Sequence, residues 1–455
     1  TPFSPVRVSG SGNNPEYSNV PGFDVTKDSL YSRYIASNVT LDGNNRPTSN
    51  PYSSAVHSKV KSLGFEANFD VAGWTINNKF RYADISGSVL VPYTLSNANA
   101  QLPFQSVNSA QALMAMFQAS SLRYATGPNA GQAIANPATL NGNGLLALRT
   151  NEDTTINSLN NMTNDLRASK VLDLGEGKLT VTAGFYKSSQ DIDTAWTWTT
   201  TVSDIVGNAS SNLIDVFAGP FKITQNGYLA YNAAMIGGMR RDRFDLNYDI
   251  DAPYGSLNYA IGKISVGASL RYDMGKARGT LYGTSVPGTA KNITYDINGD
   301  GTISPAETKV GFIPYSTPSP VHYNYNYLSY SLSANYRMAQ QFSMFARYSK
   351  GARANADRIM FANYVNPTTG KLLVKSAAYD PVKQAEVGAK YRASNLEVYM
   401  TGFWAKTREH NIGLDRAYRA YGVELEAGYK LGIFSVNGGA TWTKAEITMD
   451  LLAPA

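Results

Sequence analysis

Polar and apolar residues alternate along much of this chain, most plainly from Tyr323 to Tyr348. Leu328, Tyr330, Leu332, Ala334, Tyr336 and Met338 fall on one side of an extended backbone, and Ser329, Ser331, Ser333, Asn335 and Arg337 on the other. That is the period of a half-buried strand. Beyond Ala339, Gln340 and Gln341, Phe342, Met344, Ala346 and Tyr348 again share a face, opposite Ser343, Phe345, Arg347 and Ser349. The apolar side therefore continues through the turn.

The pattern recurs in five further pairs. Leu63, Phe65, Ala67 and Phe69 return through Trp74, Ile76, Phe80 and Tyr82; Met162 to Val171 returns through Leu179 to Ser188. Arg241 to Ile250, broken by Pro253 and Gly255, returns through Ile264 to Met274. Lys383 to Tyr391 returns through Leu396 to Trp404, and Arg419 to Tyr429 through Phe434 to Trp442. Each run is about as long as the roughly 9 to 11 tilted residues that cross a bilayer.

Turns are tight within a pair, whereas Thr94 to Asn157, Gln190 to Arg240, Gly283 to His322, Gly351 to Asp380 and Lys406 to Tyr418 separate the pairs. Short periplasmic turns and long extracellular loops have this asymmetry, and a soluble sandwich gives no reason for it. The expectation is an all-β chain, an antiparallel transmembrane β-barrel with long extracellular loops, twelve strands in six hairpins. It reads as one barrel region over 1–455, with a loop-like segment at 1–58, strands and loops over 59–447 and a loop remnant at 448–455. Both ends fall on the long-loop side, and unpaired edges in lipid are prohibitive. The chain is therefore expected to be the middle of a larger barrel.

Composition reads as β-rich, polar and aromatic rather than helical. The chain is 43% hydrophobic and 16% charged, with 30 Tyr and 39 Gly. No run of about 18 apolar residues exists, which excludes a helical span but not a barrel. Cysteine is absent, and His57, His322 and His410 are scattered, so thiolate chemistry and a local histidine metal motif are excluded. The net charge of +6 is spread rather than striped, against a nucleic-acid partner. No nucleophile elbow, phosphate loop or metalloprotease motif appears, so no enzyme is expected. Inside the first long loop, Ala110 to Leu122 reads as a short helix capped by Ser109, with Met114, Met116 and Phe117 packing it onto the protein.

The sharpest local motif is Asp296-Ile-Asn298-Gly-Asp300-Gly-Thr302-Ile-Ser304-Pro-Ala-Glu307. Oxygen donors stand at positions 1, 3, 5, 9 and 12, the Thr302 carbonyl serves at 7, and Gly301 permits the turn, as in an EF-hand-type calcium loop. The flanking residues do not read as a helix pair. Calcium stiffening an extracellular loop is expected, against an acidic loop without metal.

For substrate, Trp196 and Trp198 read as lying just beyond a strand, on its polar face, where they would stack on a sugar or aromatic ligand or join an interfacial belt. Arg347 falls on the polar face of its strand. Lys350, Arg353 and Arg358 follow that strand's extracellular end, placed to attract an anion or to meet lipid phosphates and lipopolysaccharide. Arg271, Glu386, Glu424 and Glu426 are expected to line the lumen.

LSYSLSANYRMAQQFSMFARYSKGARANADR, VKQAEVGAKYR with Glu386-x-Gly388-x-Lys390, and YGVELEAGYKL with Gly422-x-Glu424-x-Glu426 resemble the barrel of TonB-dependent outer-membrane receptors. The likeness is clearest from Tyr323 to Ile447. It implies a bacterial outer-membrane protein importing a scarce nutrient, a siderophore, glycan or similar small molecule, by energy-coupled transport. It also implies TonB as partner, acting through a plug that these residues do not include. A passive porin-like channel and a calcium-stabilised surface protein are the alternatives.

Overall fold

The computed structural model describes residues 5–11, 14–94, 107–232, 241–283, 292–355, 357–360, 364–411 and 414–451. Six hairpins form its frame: β1 (Val56–Val71) with β2 (Trp74–Thr94), β3 (Asn161–Leu174) with β4 (Gly177–Asp204), and β5 (Asp242–Ile261) with β6 (Ile264–Gly283). They continue as β7 (Ser319–Arg337) with β8 (Phe342–Ala354), β9 (Tyr379–Arg392) with β10 (Leu396–Asn411), and β11 (Leu414–Leu431) with β12 (Phe434–Leu451). Each strand pairs antiparallel with the next in chain order, across the hairpins as well as within them. The all-β, antiparallel expectation of twelve strands in six hairpins is the observed architecture.

The registers carry one apolar face across the whole ladder. Leu332 stands opposite Ala268 and Tyr348; Ala346 opposite Val387; Val387 opposite Gly402; Gly402 opposite Val423; Val423 opposite Trp442. Leu332 is 54% exposed, Val387 57% and Trp442 60%, values that lipid contact explains and water does not. Serines, Arg271, Glu386 and Glu424 occupy the alternate positions, which form the concave side.

Three findings differ from the sequence pattern. The strands run 13 to 28 residues, longer than a bilayer needs, because pairing continues beyond the apolar band toward the long loops, where the end of β4 is buried on both faces. Residues read as irregular from Gln190 are strand to Asp204, so Trp196 and Trp198 lie within β4 and not beyond it. The loop-like N-terminal segment contains two short hairpins, Arg7–Ser11 with Asn14–Ser18 and Ser37–Leu41 with Pro47–Pro51. The framing strands span Val56 to Leu451.

The extension of β4 pairs with a further strand, Leu145–Ser158, and has packing on both faces. On one, Leu146, Leu148 and Val202 meet α1 (Ala110–Met116), whose Ser109 Oγ accepts from Ala112 N at 3.1 Å. Met114, Met116 and Phe117 pack there as expected. On the other, Asn151 accepts from the Tyr52 hydroxyl at 2.6 Å, and Asp153 accepts from Asn50 at 2.7 Å. The N-terminal segment thus seals the outer side of this wall.

Candidate functional site

The concave face is polar because every second residue of each strand points there, and strand pairing stacks those residues into levels. At the end bearing the tight turns, Arg337, Lys390, Arg392, Glu424 and Glu426 line a cavity of about 750 Å³ with Phe345, Tyr399 and Thr401. Lys390 Nζ sits 5.3 Å from the Phe345 ring centre. That ring lies over Gly388, where an added Cβ would meet it at 2.5 Å. Phe403 lies likewise over Gly422, at 2.8 Å from such a Cβ. Glycine lets these aromatics lie flat, which leaves the passage wide.

The middle level is a second cavity of about 750 Å³ lined by Asp165, Tyr186, Tyr254, Arg271, Ser331 and Arg347 among others. The Tyr254 hydroxyl donates to Asp165 Oδ1 at 2.7 Å. Arg271 donates to Asp273 from Nε at 3.0 Å and from Nη2 at 2.8 Å, and its guanidinium stands 4.7 Å from the Tyr186 ring centre. Arg347 donates to Ser331 Oγ at 3.2 Å and faces Glu386 in register, whose Oε1 accepts from Gln384 at 2.6 Å. Charges of both signs alternate around this belt, a lining suited to a polar solute.

An apolar cap closes the extracellular level. Tyr325 stacks between Tyr248 at 5.9 Å and Tyr327 at 6.1 Å, with Tyr379 4.9 Å from Tyr327. Phe244, Leu281, Val321 and Ile359 join them. Trp196 does share the polar-side face of β4, yet it is 7% exposed and packs edge-on to Phe244 at 5.5 Å. It is part of the cap's core, and Trp198 is half-buried two residues further along the same face.

The basic set divides. Lys350 pairs with Tyr330 and Lys383 and so lies on the convex face, whereas Arg353 pairs with Asp380 on the concave one. The side chain of Arg358 lies outside the described residues. Lys350 and Arg353 therefore act on different faces, since three residues along a strand reverses the face.

In the loop 296–307, Asp296 accepts from Gly299 N at 2.7 Å and Gly301 N at 2.8 Å, and Asp300 accepts from Thr302 N at 2.7 Å. Glu307, fully buried, accepts from Ile297 N at 3.0 Å and Ser304 N at 2.9 Å, while Ser304 Oγ caps the short 3-10 helix Pro305–Lys309. Ile297 and Ala306 anchor the loop in the core of Tyr228, Tyr231 and Val310. Among the described residues no group of three or more His, Asp or Glu forms a ready metal cluster. The donor set is nonetheless all oxygen, and each carboxylate oxygen keeps a second lone pair beside its amide donor.

Sequence reading did not single out the buried acids of the extracellular layer. Burial raises the pKa of Asp153, partly offset by Asn50 and Asn38, and raises that of Asp204, partly offset by the Asn212 amide, Asn141 and the Asn212 side chain. With a folded pKa above the unfolded one, the folded state holds the proton more tightly. Stability then falls as pH climbs from the unfolded value to the raised one, and is flat outside that window. Melting of D153N and D204N across that pH range, compared with the parent, is expected to give a shallower fall. A parent whose stability rises more steeply than the variants over the window would contradict this.

The sequence profile described as TonB dependent receptor-like, beta-barrel matches residues 3–453. No curated protein sequence matches the chain. Among solved structures, the closed form of the ferric-catecholate import receptor Fiu from E. coli K12 superposes with a TM-score of 0.52 at 14% identity, covering 90% of this chain and 52% of that one. Its open form gives 0.48 at 14% identity, covering 85% and 46%. The ferric yersiniabactin uptake receptor FyuA from Yersinia pestis gives 0.46 at 11% identity, covering 90% and 47%. The chain spans about half the length of these solved structures. At such identities the likeness speaks to fold alone.

Proposed function

Because the chain belongs to the TonB-dependent receptor β-barrel family, a family of outer-membrane transport receptors and not of enzymes, we propose that it forms the barrel wall of a receptor importing a scarce nutrient by energy-coupled transport. It is a protein of the bacterial outer membrane. TonB acts through a plug seated against the concave face. The substrate is a small polar molecule such as a siderophore or a glycan fragment.

The observation that supports this reading is the concave face itself: two charged cavities stacked from the tight turns to mid-wall, under an aromatic cap. Such a face can seat a polar plug and pass a polar solute while the convex face meets lipid. The test is uptake of a panel of labelled siderophores and oligosaccharides by cells expressing the full-length gene, with and without an uncoupler. Import that stops when the proton gradient collapses is expected. Uptake indifferent to the uncoupler would make the protein a passive channel.

The same reading gives the loop 296–307 a calcium ion held by Asp296, Asn298, Asp300, the Thr302 carbonyl, Ser304 and Glu307, at the weak, roughly 10⁻⁴ to 10⁻³ M affinity of extracellular modules. Supporting it are the complete donor spacing and the buried, preorganised Glu307. Chelation is expected to speed proteolysis between residues 292 and 313, and D296A to abolish the calcium effect. Equal cleavage with and without calcium would remove the ion from this account.

A further inference from the structure

We propose that a small inorganic anion of halide size sits against Arg149 in the extracellular layer and pins the N-terminal segment to the wall. Arg149 belongs to the strand Leu145–Ser158 and is 1% exposed. All three of its guanidinium nitrogens are buried, and none has a hydrogen-bond partner among the described residues. A guanidinium keeps its proton in a protein, so the charge persists in the folded state. The acid on the same face, Asp153, lies four residues along the strand, where Asn38 and Asn50 donate to it at 3.3 and 2.7 Å. A buried charge left unpaired is costly, and an ion that pairs with it removes the cost.

The groups around the charge are neutral. Tyr52 presents its ring, whose centre is 5.4 Å from the guanidinium carbon, and Tyr31 stands edge-on to Tyr52 at 5.6 Å. Burial raises the pKa of the Tyr31, Tyr52 and Tyr228 phenols, and the Arg149 charge offsets only part of that, so none of them supplies a phenolate. Each hydroxyl is also engaged elsewhere: Tyr31 donates to Leu90 O at 3.1 Å, Tyr52 to Asn151 Oδ1 at 2.6 Å, and Tyr228 accepts from Val39 N at 2.9 Å. On β4, Thr201 stands opposite Arg149, and Ser203, on the same face and diagonal to it, has a buried Oγ without a partner. Two unmet groups that can donate thus share one face.

Chemistry selects the occupant. Guanidinium N–H groups donate and cannot accept, so the site rejects a metal cation. Water would meet the donors and leave the charge; an anion meets both needs. Asn151, Thr199, Thr201 and Tyr228 are buried as well, and a cell closed on those sides suits an ion of one atom better than a larger molecule. Tyr31 and Tyr52 belong to the N-terminal segment, whose seat on this wall also uses the Tyr52 bond to Asn151 and the Asn50 bond to Asp153. An ion held only while the segment is seated stabilises the seated form by mass action.

The proposal needs only the seating of this segment, so it stands or falls independently of what the concave face transports. The test uses the full-length receptor in two measurements. Crystals grown in bromide are expected to show an anomalous peak beside the Arg149 guanidinium. In solution, hydrogen exchange of residues 30–52 should be slower in chloride than in gluconate at equal ionic strength, by roughly tenfold once chloride exceeds its dissociation constant about tenfold. R149M, which removes the charge and keeps the side chain long and apolar, should exchange alike in the two salts. The bromide measurement needs no variant, so it decides even if R149M fails to fold. Water without bromide at Arg149, equal exchange of the parent in both salts, or a chloride response that survives in R149M would each overturn the assignment.

Discussion

Arginine at Val387 is expected to cost about 2 to 4 kcal/mol of folding free energy in a bilayer, the penalty for a cation at mid-depth on a lipid face. Val387 is 57% exposed and stands midway between Tyr391 and Lys383 along β9, flanked in register by Ala346 and Gly402. Neither neighbour can receive a guanidinium, and Lys383 and Tyr391, which bracket the apolar band, each lie four strand residues away. T401R on the neighbouring strand is the matched control. Thr401 lines the lower concave cavity with Glu424 and Glu426, so an arginine there meets carboxylates and water and should change stability by only about 0.5 kcal/mol. Denaturant unfolding from phospholipid vesicles measures both. Equal costs at the two positions would mean that the faces have been assigned wrongly.

The second large effect belongs to the extracellular cap. Phe244 is fully buried between Trp196 and the tyrosine stack, and truncating a buried phenylalanine costs about 3 to 5 kcal/mol through lost burial and the cavity left behind. Ile359, Val365 and Ala378 pack into the same cluster, so F244A should release the chain around residues 364–378 from the wall. Limited proteolysis and hydrogen exchange are expected to show that segment opening while the lipid-facing strands keep their protection. If cleavage there matched the parent, the cluster would not be what holds the cap down.

Much of this was legible in the residues. The alternation around Leu332 and Ser331 fixed which face meets lipid, since the two-residue period is a property of the backbone alone. The six tight turns announced the hairpins. Strand length was not legible: beyond Gln190 the alternation fades because both faces of β4 are buried under protein, and a strand covered on both sides loses its polar half. Trp196 consequently read as a residue beyond the strand, when it lies within β4 and its ring packs in the cap. The basic residues Lys350 and Arg353 read as one basic set at the end of a strand; their odd spacing puts them on opposite faces.

The sequence by itself therefore determined the fold class, the direction each strand residue points and the spacing of the oxygen donors from Asp296 to Glu307, all of which depend on neighbours a few bonds away. Tertiary structure alone decided which strand residues stand side by side. That Arg149 stands opposite Thr201, that Lys350 stands opposite Lys383, and that Arg347 faces Glu386 are consequences of register between strands. Register is set by pairing energy summed over whole strands, and no local stretch of sequence contains that sum.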